Sequence, residues 1–387
     1  MKRQRWGRAL DVFSRFAGTI FLVIAVTLLL KSAPVQGGES TDVQNFDAPG
    51  RLRVAVIGDT GIGDRVYHKG FSAVLAGIGK ERPDILLHLG DFIYQSEWLP
   101  EKCDPRFLQE VRDTLATPFR FRIFVPGDND LSPHPGKPLA SRCWPEIEPL
   151  GTPLDAGDPG AADKPSAFEG TRTIGNVLFA VLNSFPWNDP TAWLKPRIDR
   201  ARAAGFWVVV ALHEPPVTTA WYLEKRQTVL RQINALNPDL VFSGNQHSYE
   251  RFHALGVPMD DGTLPAVKPE EGSVYRQGSG SIHIVSGGGG ALIKPFADLQ
   301  GEKDMTAPKE AFDALATRAL MNHFIVLDIS QKELLGRTYR VCPGTGPGDQ
   351  EDPRWKPRND MWRKIALACD GQPAGTTLFD QFKILAR

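Results

Sequence analysis

The chain lacks a net charge, holding 45 Lys and Arg against 45 Asp and Glu in 387 residues, and it has only four cysteines. It shows no internal repeat, which excludes a solenoid, and with 23% charged and 9% aromatic residues it is neither low-complexity nor disordered. No C-x-x-C pair is present, which argues against a structural zinc site. No Lys-Ser/Thr follows the glycine run Gly287–Gly290, which removes the nucleotide P-loop and leaves a tight turn at a strand end. No G-x-S-x-G elbow sits between a strand and a helix, so Gly278-Ser279-Gly280-Ser281 reads as loop and not as a serine nucleophile. The charge balance itself conceals an asymmetry. Six of the bases and one acid fall in residues 1–37, leaving 39 bases against 44 acids. That acidic body excludes an electrostatic nucleic-acid footprint.

Long apolar runs are also scarce. The run Ala17–Leu30 is 14 residues long; as a helix it rises about 21 Å, short of a hydrocarbon core of about 30 Å. Behind a basic head it reads as a signal peptide, with small residues at Val35 and Gly37 for cleavage and an uncleaved anchor as the alternative. Without a twin-arginine pair the general secretory route is expected, placing the protein in a periplasmic, secreted or membrane-anchored setting outside the cytoplasm. Export makes Cys103, Cys143, Cys342 and Cys369 candidates for disulfides. Three pairings are open, and neighbourhood favours Cys103 with Cys143 and Cys342 with Cys369.

Beyond residue 37 the chain divides into a polar linker at 38–50, a catalytic domain over 51–340 and a lightly structured C-terminal extension over 341–387. Short apolar runs are expected as strands over Arg51–Gly58, Asp84–Gly90, Arg120–Pro126, Val177–Asn183, Trp207–Leu212, Leu240–Ser243, Ser281–Ser286 and His323–Ile329. Helices are expected over Gly70–Lys80, Pro105–Leu115, Ala192–Ala204, Glu224–Leu236 and Lys309–Met321. This alternation predicts an α/β protein with βαβ units and a largely parallel sheet. Residues 132–168 and 254–280 read as long surface insertions of a kind that often carry function.

Five of the strands end alike. Val54–Ile57 runs into Gly58-Asp59-Thr60-Gly61, and Ile85–Leu89 into Gly90-Asp91-Phe92-Ile93-Tyr94. Ile123–Pro126 runs into Gly127-Asp128-Asn129-Asp130, Val208–Leu212 into His213-Glu214-Pro215-Pro216, and Leu240–Ser243 into Gly244-Asn245-Gln246-His247-Ser248-Tyr249-Glu250-Arg251. Carboxyl ends of strands form the ligand crevice of open α/β sheets. Carboxylates and imidazoles gathered there suit a divalent or trivalent metal, and Gly before Asp lets the backbone turn sharply. One Gly-Asp is ordinary turn chemistry; three of them with two histidine-bearing ends are not.

The order GDTG, GDFIY, GDND, HEPP, GNQHSYER resembles the calcineurin-like metallophosphoesterase superfamily, and within it the purple acid phosphatases, whose pattern is GDxG, GDxxY, GNH and an acid, a lone His, then GHxH with AYER. The resemblance spans about Arg51 to Arg251. It implies a four-layer α/β/β/α sandwich and two metals that clamp a phosphate and acidify a bridging water for in-line attack on phosphorus. It implies a first metal site of Asp59, Asp91, Tyr94 and His247, with iron there coloured by the Tyr94 phenolate and Asp91 bridging. The second site becomes Asp128, His213 and Asn245, for Mn, Mg, Zn or Fe, and the family's catalytic histidine becomes Asn129.

The departures bear on chemistry. Asp128 in place of Asn adds charge, and Asn245 in place of His supplies a weaker amide oxygen; together they favour Mg, Mn or Ca over zinc. Asn129 cannot exchange a proton near pH 7, though it can hydrogen-bond a phosphoryl oxygen. Asn129 and His213 are thus the catalytic positions; His134 and His68, in nearby loops, could replace the missing imidazole but read first as surface histidines. The function implied is an exported, metal-dependent phosphoester hydrolase acting on a phosphorylated small molecule. Residues 17–30 offer membrane attachment. The alternative is a metal-containing, non-hydrolytic binding or scaffold protein with a degenerate second site. Elsewhere, Glu250 and Arg251 are expected to pair with each other, Trp187, Trp193 and Trp221 to pack in the core or line the cleft, His88 to be a core histidine, and His283 and His323 to lack a motif partner.

Overall fold

The computed structural model describes residues 51–63, 68–94, 103–131, 143–157, 165–221, 224–269, 271–301, 303, 306–343, 369 and 372–387. The segment 17–30 and His134 lie outside the described residues, as does the side chain of His68. No helix among the described residues is long and apolar enough to cross a membrane.

In chain order the strands are β1 (Leu52–Ile57), β2 (Ile85–His88), β3 (Phe121–Phe124), β4 (Gly170–Ile174), β5 (Val177–Val181), β6 (Trp207–Leu212), β7 (Leu240–Ser243), β8 (Tyr249–Leu255), β9 (Ala266–Val267), β10 (Val274–Arg276), β11 (Ser281–Ser286), β12 (Leu315–Ala319), β13 (Asn322–Ile329), β14 (Glu333–Cys342) and β15 (Gly375–Leu385). They make two sheets. One runs β10-β15-β14-β13-β1-β2-β3 and the other β12-β8-β11-β7-β6-β5-β4, with β9 on β8. In the first, β1-β2-β3 form a parallel edge, joined through antiparallel β13, β14 and β15 to β10, which pairs parallel with β15; in the second, β5-β6-β7-β11 form a parallel centre with antiparallel flanks. The expected largely parallel sheet is therefore two mixed sheets.

Period-two alternation explains the layering. Val54 and Val56 face Val209, Phe242 and Ile284 of the other sheet in the central core. Ala55 and Ile57 turn the opposite way, onto Phe71, Val74 and Ile78 of the helix His68–Glu81. On the second sheet Val208 and Val210 meet Leu194 and Ile198 of the helix Thr191–Ala203 and Ile233 of the helix Lys225–Ala235. Strands buried on both faces read as continuous apolar runs, which makes these segments recognisable. The result is the expected α/β/β/α sandwich.

Two further expectations, both about elements near the C-terminus, fail. The helix over Lys309–Met321 stops at Asp313, and Leu315–Ala319 becomes β12, paired antiparallel with β8. Its alanine-rich pattern suits a helix, but the open edge of β8 offers ladder bonds, and Arg318 anchors the strand to Asp298 at 2.6 Å. The stretch beyond Val341 is no loose extension at its end. Gly375–Leu385 is an 11-residue strand between β14 and β10. Disulfides join Cys103 to Cys143 and Cys342 to Cys369, the pairing that neighbourhood favoured.

β15 also ties the sheets together. Asp380 accepts from Arg251 Nε at 2.6 Å and Nη2 at 2.9 Å and from Tyr249 Oη at 2.7 Å, both on β8 of the other sheet. Arg251 therefore does not pair with Glu250, which is buried and takes the hydroxyls of Thr218 and Thr219 and the Thr219 N–H. Removing one partner of a buried pair strands the other, so Asp380→Ala is expected to lower unfolding free energy by about 3–5 kcal/mol in denaturant titration. Burial alone would raise the Asp380 pKa, but the Arg251 hydrogen bonds and charge hold it below 3.8. The stability from that depressed folded-state pKa is present above 3.8 and lost as pH falls through the folded value. The difference between wild type and Asp380→Ala should therefore shrink in acid.

Candidate metal centre

Each sheet delivers candidate ligand groups from the carboxyl ends of its parallel strands. Asp59 follows β1 and Asp91 follows β2, while His213 and Asn245 follow β6 and β7. Asp59, Asp91 and Asn245 all hold left-handed backbone, with φ of 58°, 56° and 62°. Non-glycine residues keep such conformations only where their surroundings enforce them. For Asp91 the enforcement is Asp130, whose Oδ2 accepts the Asp91 N–H at 2.7 Å and the Gly127 N–H at 3.0 Å while Oδ1 takes the Phe92 N–H at 3.0 Å. Gly127 is required there, because a Cβ would lie 2.2 Å from both Asp91 N and Asp91 Oδ1. Gly287 is similar: a Cβ would meet Gln246 O at 2.3 Å and Asp59 Oδ2 at 2.8 Å. The Gly287–Gly290 run is thus the tight turn expected, packed against the site.

The side chains converge in two groups. Tyr94 Oη lies 3.0 Å from each of Asp59 Oδ1, Asp91 Oδ2 and His247 Nε2, and His247 Nε2 is 3.1 Å from Asp59 Oδ1. His213 Nε2 lies 3.1 Å from Asp128 Oδ1 and 3.4 Å from Asp91 Oδ1. Asp59, Asp91 and His247 make one cluster able to hold a metal ion, and Asp91, Asp128 and His213 the other. Both histidines are aimed by backbone carbonyls: Nδ1 of His213 meets Leu89 O at 2.6 Å, and Nδ1 of His247 meets Leu292 O at 2.5 Å. Such contacts leave Nε2 as the inward-facing ligand atom.

The electrostatics fit cations at this place. Asp59, Asp91 and Asp128 are buried carboxylates, and unpaired charge is costly away from water. Their concentrated charge shows in their neighbours. Burial would lower the His213 pKa, yet Asp91 foremost among the carboxylates pushes it well above 6.5. Tyr94 is driven well above 10.0 by burial and then by Asp59, Asp91 and Asp128. Asp130 is raised to about 7 by burial and the Asp91 charge. His247 moves the other way, lowered by burial and by Lys294, whose Nζ donates to Asn245 O at 2.8 Å.

Six of the expected site residues thus meet directly: Asp59, Asp91, Tyr94, Asp128, His213 and His247. Asn129 joins them through Asp91, its N–H donating to Oδ1 at 2.8 Å and its Nδ2 to Oδ2 at 2.5 Å. Asn245 joins through its backbone, its N–H 2.9 Å from Asp59 Oδ2. Sequence reasoning missed two residues. Asp130 carried a signal, an acid inside the Gly127–Asp130 run; Lys294 carried none. His88, His283 and His323 are structural. His88 stacks on Phe92 at 3.6 Å, while His283 bonds Asn234 and His323 bonds Ser286, and burial pushes these last two down to about 3 and about 4. Trp193 is buried in the outer core of the second sheet and Trp187 bonds Gln232 at 2.8 Å.

The four-layer α/β/β/α sandwich thus carries two adjoining carboxylate–histidine groups at its strand ends, each able to hold a metal ion. The calcineurin-like phosphoesterase family matches over residues 52–249, more than half of the chain, and the protein belongs to it. The chain is also 33% identical over 106 residues to an uncharacterized protein of Mycobacterium tuberculosis, a match covering 25% of this chain and only 20% of that relative. Among solved structures it resembles a purple acid phosphatase from yellow lupin (Lupinus luteus) seeds, with a TM-score of 0.56 and 13% identity over 87% of this chain and 54% of the lupin chain. That likeness is one of fold.

Proposed function

We propose that this chain is an exported phosphatase that hydrolyses a phosphorylated small molecule. Asp59, Asp91, Tyr94 and His247 would hold one metal, iron by the character of the phenolate ligand. Asp128, His213 and Asn245, with Asp91 shared, would hold Mn, Mg, Zn or Fe. The observation that carries this reading is Asp91: one carboxylate whose Oδ2 faces Tyr94 at 3.0 Å and whose Oδ1 faces His213 at 3.4 Å. A single residue contributing to both groups is what a two-metal clamp needs.

When bound, the ions would neutralise phosphate charge and acidify an attacking water. The protein's own part is positioning. Asp130 fixes the Asp91 backbone, Leu89 and Leu292 set the two imidazoles, and the Asn129 amide steadies the shared carboxylate beside the place where a phosphoryl oxygen would sit. Export is supported by the two disulfides, which persist in oxidising compartments, and by the basic head and apolar run of the first thirty residues.

The test is metal analysis with a visible spectrum on the purified protein, together with p-nitrophenyl phosphate hydrolysis under added Fe, Mn, Mg and Zn. Two metals per chain, an absorption band from the tyrosinate, and turnover lost to a chelator and restored by metal are expected. One metal or none, with no turnover on monoester or diester, would overturn the reading in favour of a non-hydrolytic binding protein.

A further inference from the structure

Beside the metal centre a cleft of about 490 Å³ opens between the loops after β3, β5 and β6 and the helix Lys225–Ala235. Its walls include Leu131, Phe185, Trp187, Pro215, Val229 and Arg226. Three features join it to the centre. Leu131 directly follows Asp130, the lining residues Leu212 and Glu214 flank His213, and the Phe185 ring lies 6.1 Å from the His213 ring. A substrate whose phosphate meets the Asp91–Asp128–His213 group has this cleft as a neighbouring space for the rest of its body. The volume lies in the range of small-molecule pockets, and its aliphatic and aromatic walls suit a flat apolar group.

Ser184, Glu214, Lys225 and Arg226 add polar groups to the lining. The buried Arg226 pairs with Glu214, Nη2 lying 3.5 Å from Oε1, and Lys225 Nζ lies 3.0 Å from Glu214 Oε2, so these charged groups pair among themselves and leave recognition to the apolar walls.

We infer that this cleft is the leaving-group pocket and that the substrate is a phosphomonoester of a ring-bearing, apolar alcohol, recognised by Phe185, Trp187 and Val229. The inference rests on the phosphatase reading above. Binding a ring against these side chains excludes water from both surfaces, so a substrate lacking it forfeits that term. Discrimination of about 10–200-fold is what an apolar pocket supplies for small differences in bulk.

Benzyl phosphate and methyl phosphate make the comparison, because their alcohols are similarly acidic and differ in the ring. For the metal-loaded full chain, kcat/KM for the benzyl ester is expected to exceed that for the methyl ester by at least about tenfold. Val229→Phe, which fills the cleft, and Trp187→Ala, which removes a wall, are each expected to bring that ratio toward one, with melting curves reporting whether each variant is folded. Both esters hydrolysed at equal kcat/KM by wild type, or a ratio unmoved in a folded variant, would overturn the pocket and leave the phosphatase intact. Hydrolysis of neither ester would count against the phosphatase itself. In that case calorimetry with benzylphosphonate and methylphosphonate decides the pocket: tighter benzylphosphonate binding that weakens in Trp187→Ala supports it, and equal binding overturns it.

Discussion

Asp91→Ala is expected to lower p-nitrophenyl phosphate hydrolysis by about 10⁴-fold or more and to reduce metal content at both positions together. The magnitude is that of losing a residue around which a catalytic unit is assembled. The reason lies in its placement, with Oδ2 toward Tyr94 and Oδ1 toward His213, so that neither donor group is complete without it. His247→Ala touches only the first group and should abolish activity through that metal. Metal content measured beside kcat/KM separates the two variants. Activity surviving in Asp91→Ala would mean that the ligand set is wrongly assigned.

Asn129→His is expected to work in the opposite direction, raising kcat by about 10²–10³, the scale of a well-placed acid or oxyanion donor. In the present chain the Asn129 amide donates to Asp91 Oδ2 at 2.5 Å, so the position already lies against the shared ligand. An amide cannot carry a proton to a departing alcohol; an imidazole can, and its charge state changes near neutral pH. The variant should therefore acquire a pH dependence in kcat that the wild type lacks, while Asn129→Gln gains nothing. An Asn129→His enzyme with full metal content and unchanged kcat would show that the leaving group here needs no protonation from this position.

The legibility of the molecule in its sequence tracks the range of each interaction. Val54–Ile57 and Ile85–Leu89 were readable because a strand buried on both faces is a local, unbroken apolar run. The Gly-Asp ends were readable because a sharp turn and its ligand sit side by side in the chain. β12 was misread because Leu315–Ala319 has the composition of a helix, and only the edge of β8, more than sixty positions earlier, makes it a strand. β15 was missed for the same reason: its partners are β14 and the distant β10. The expected Glu250–Arg251 pair failed because neighbours on a strand point to opposite faces, sending Glu250 to Thr218 and Thr219 and Arg251 to Asp380.

The sequence by itself determined the family, the layer order of the sandwich and the side chains that converge at the strand ends, Asp59, Asp91, Tyr94, Asp128, His213 and His247. Each of these is written into a short segment as residue type, period and turn. Only the tertiary structure decided that Asp91 is shared, that Asp130 holds it in left-handed backbone, that Lys294 stands beside His247, and that a ring-sized cleft opens next to His213. Those facts depend on segments brought together by two sheets packing face to face. Arg251 and Asp380, 129 residues apart, or Lys294 and Asn245, 49 apart, carry no mark in the chain of the partner that folding assigns them.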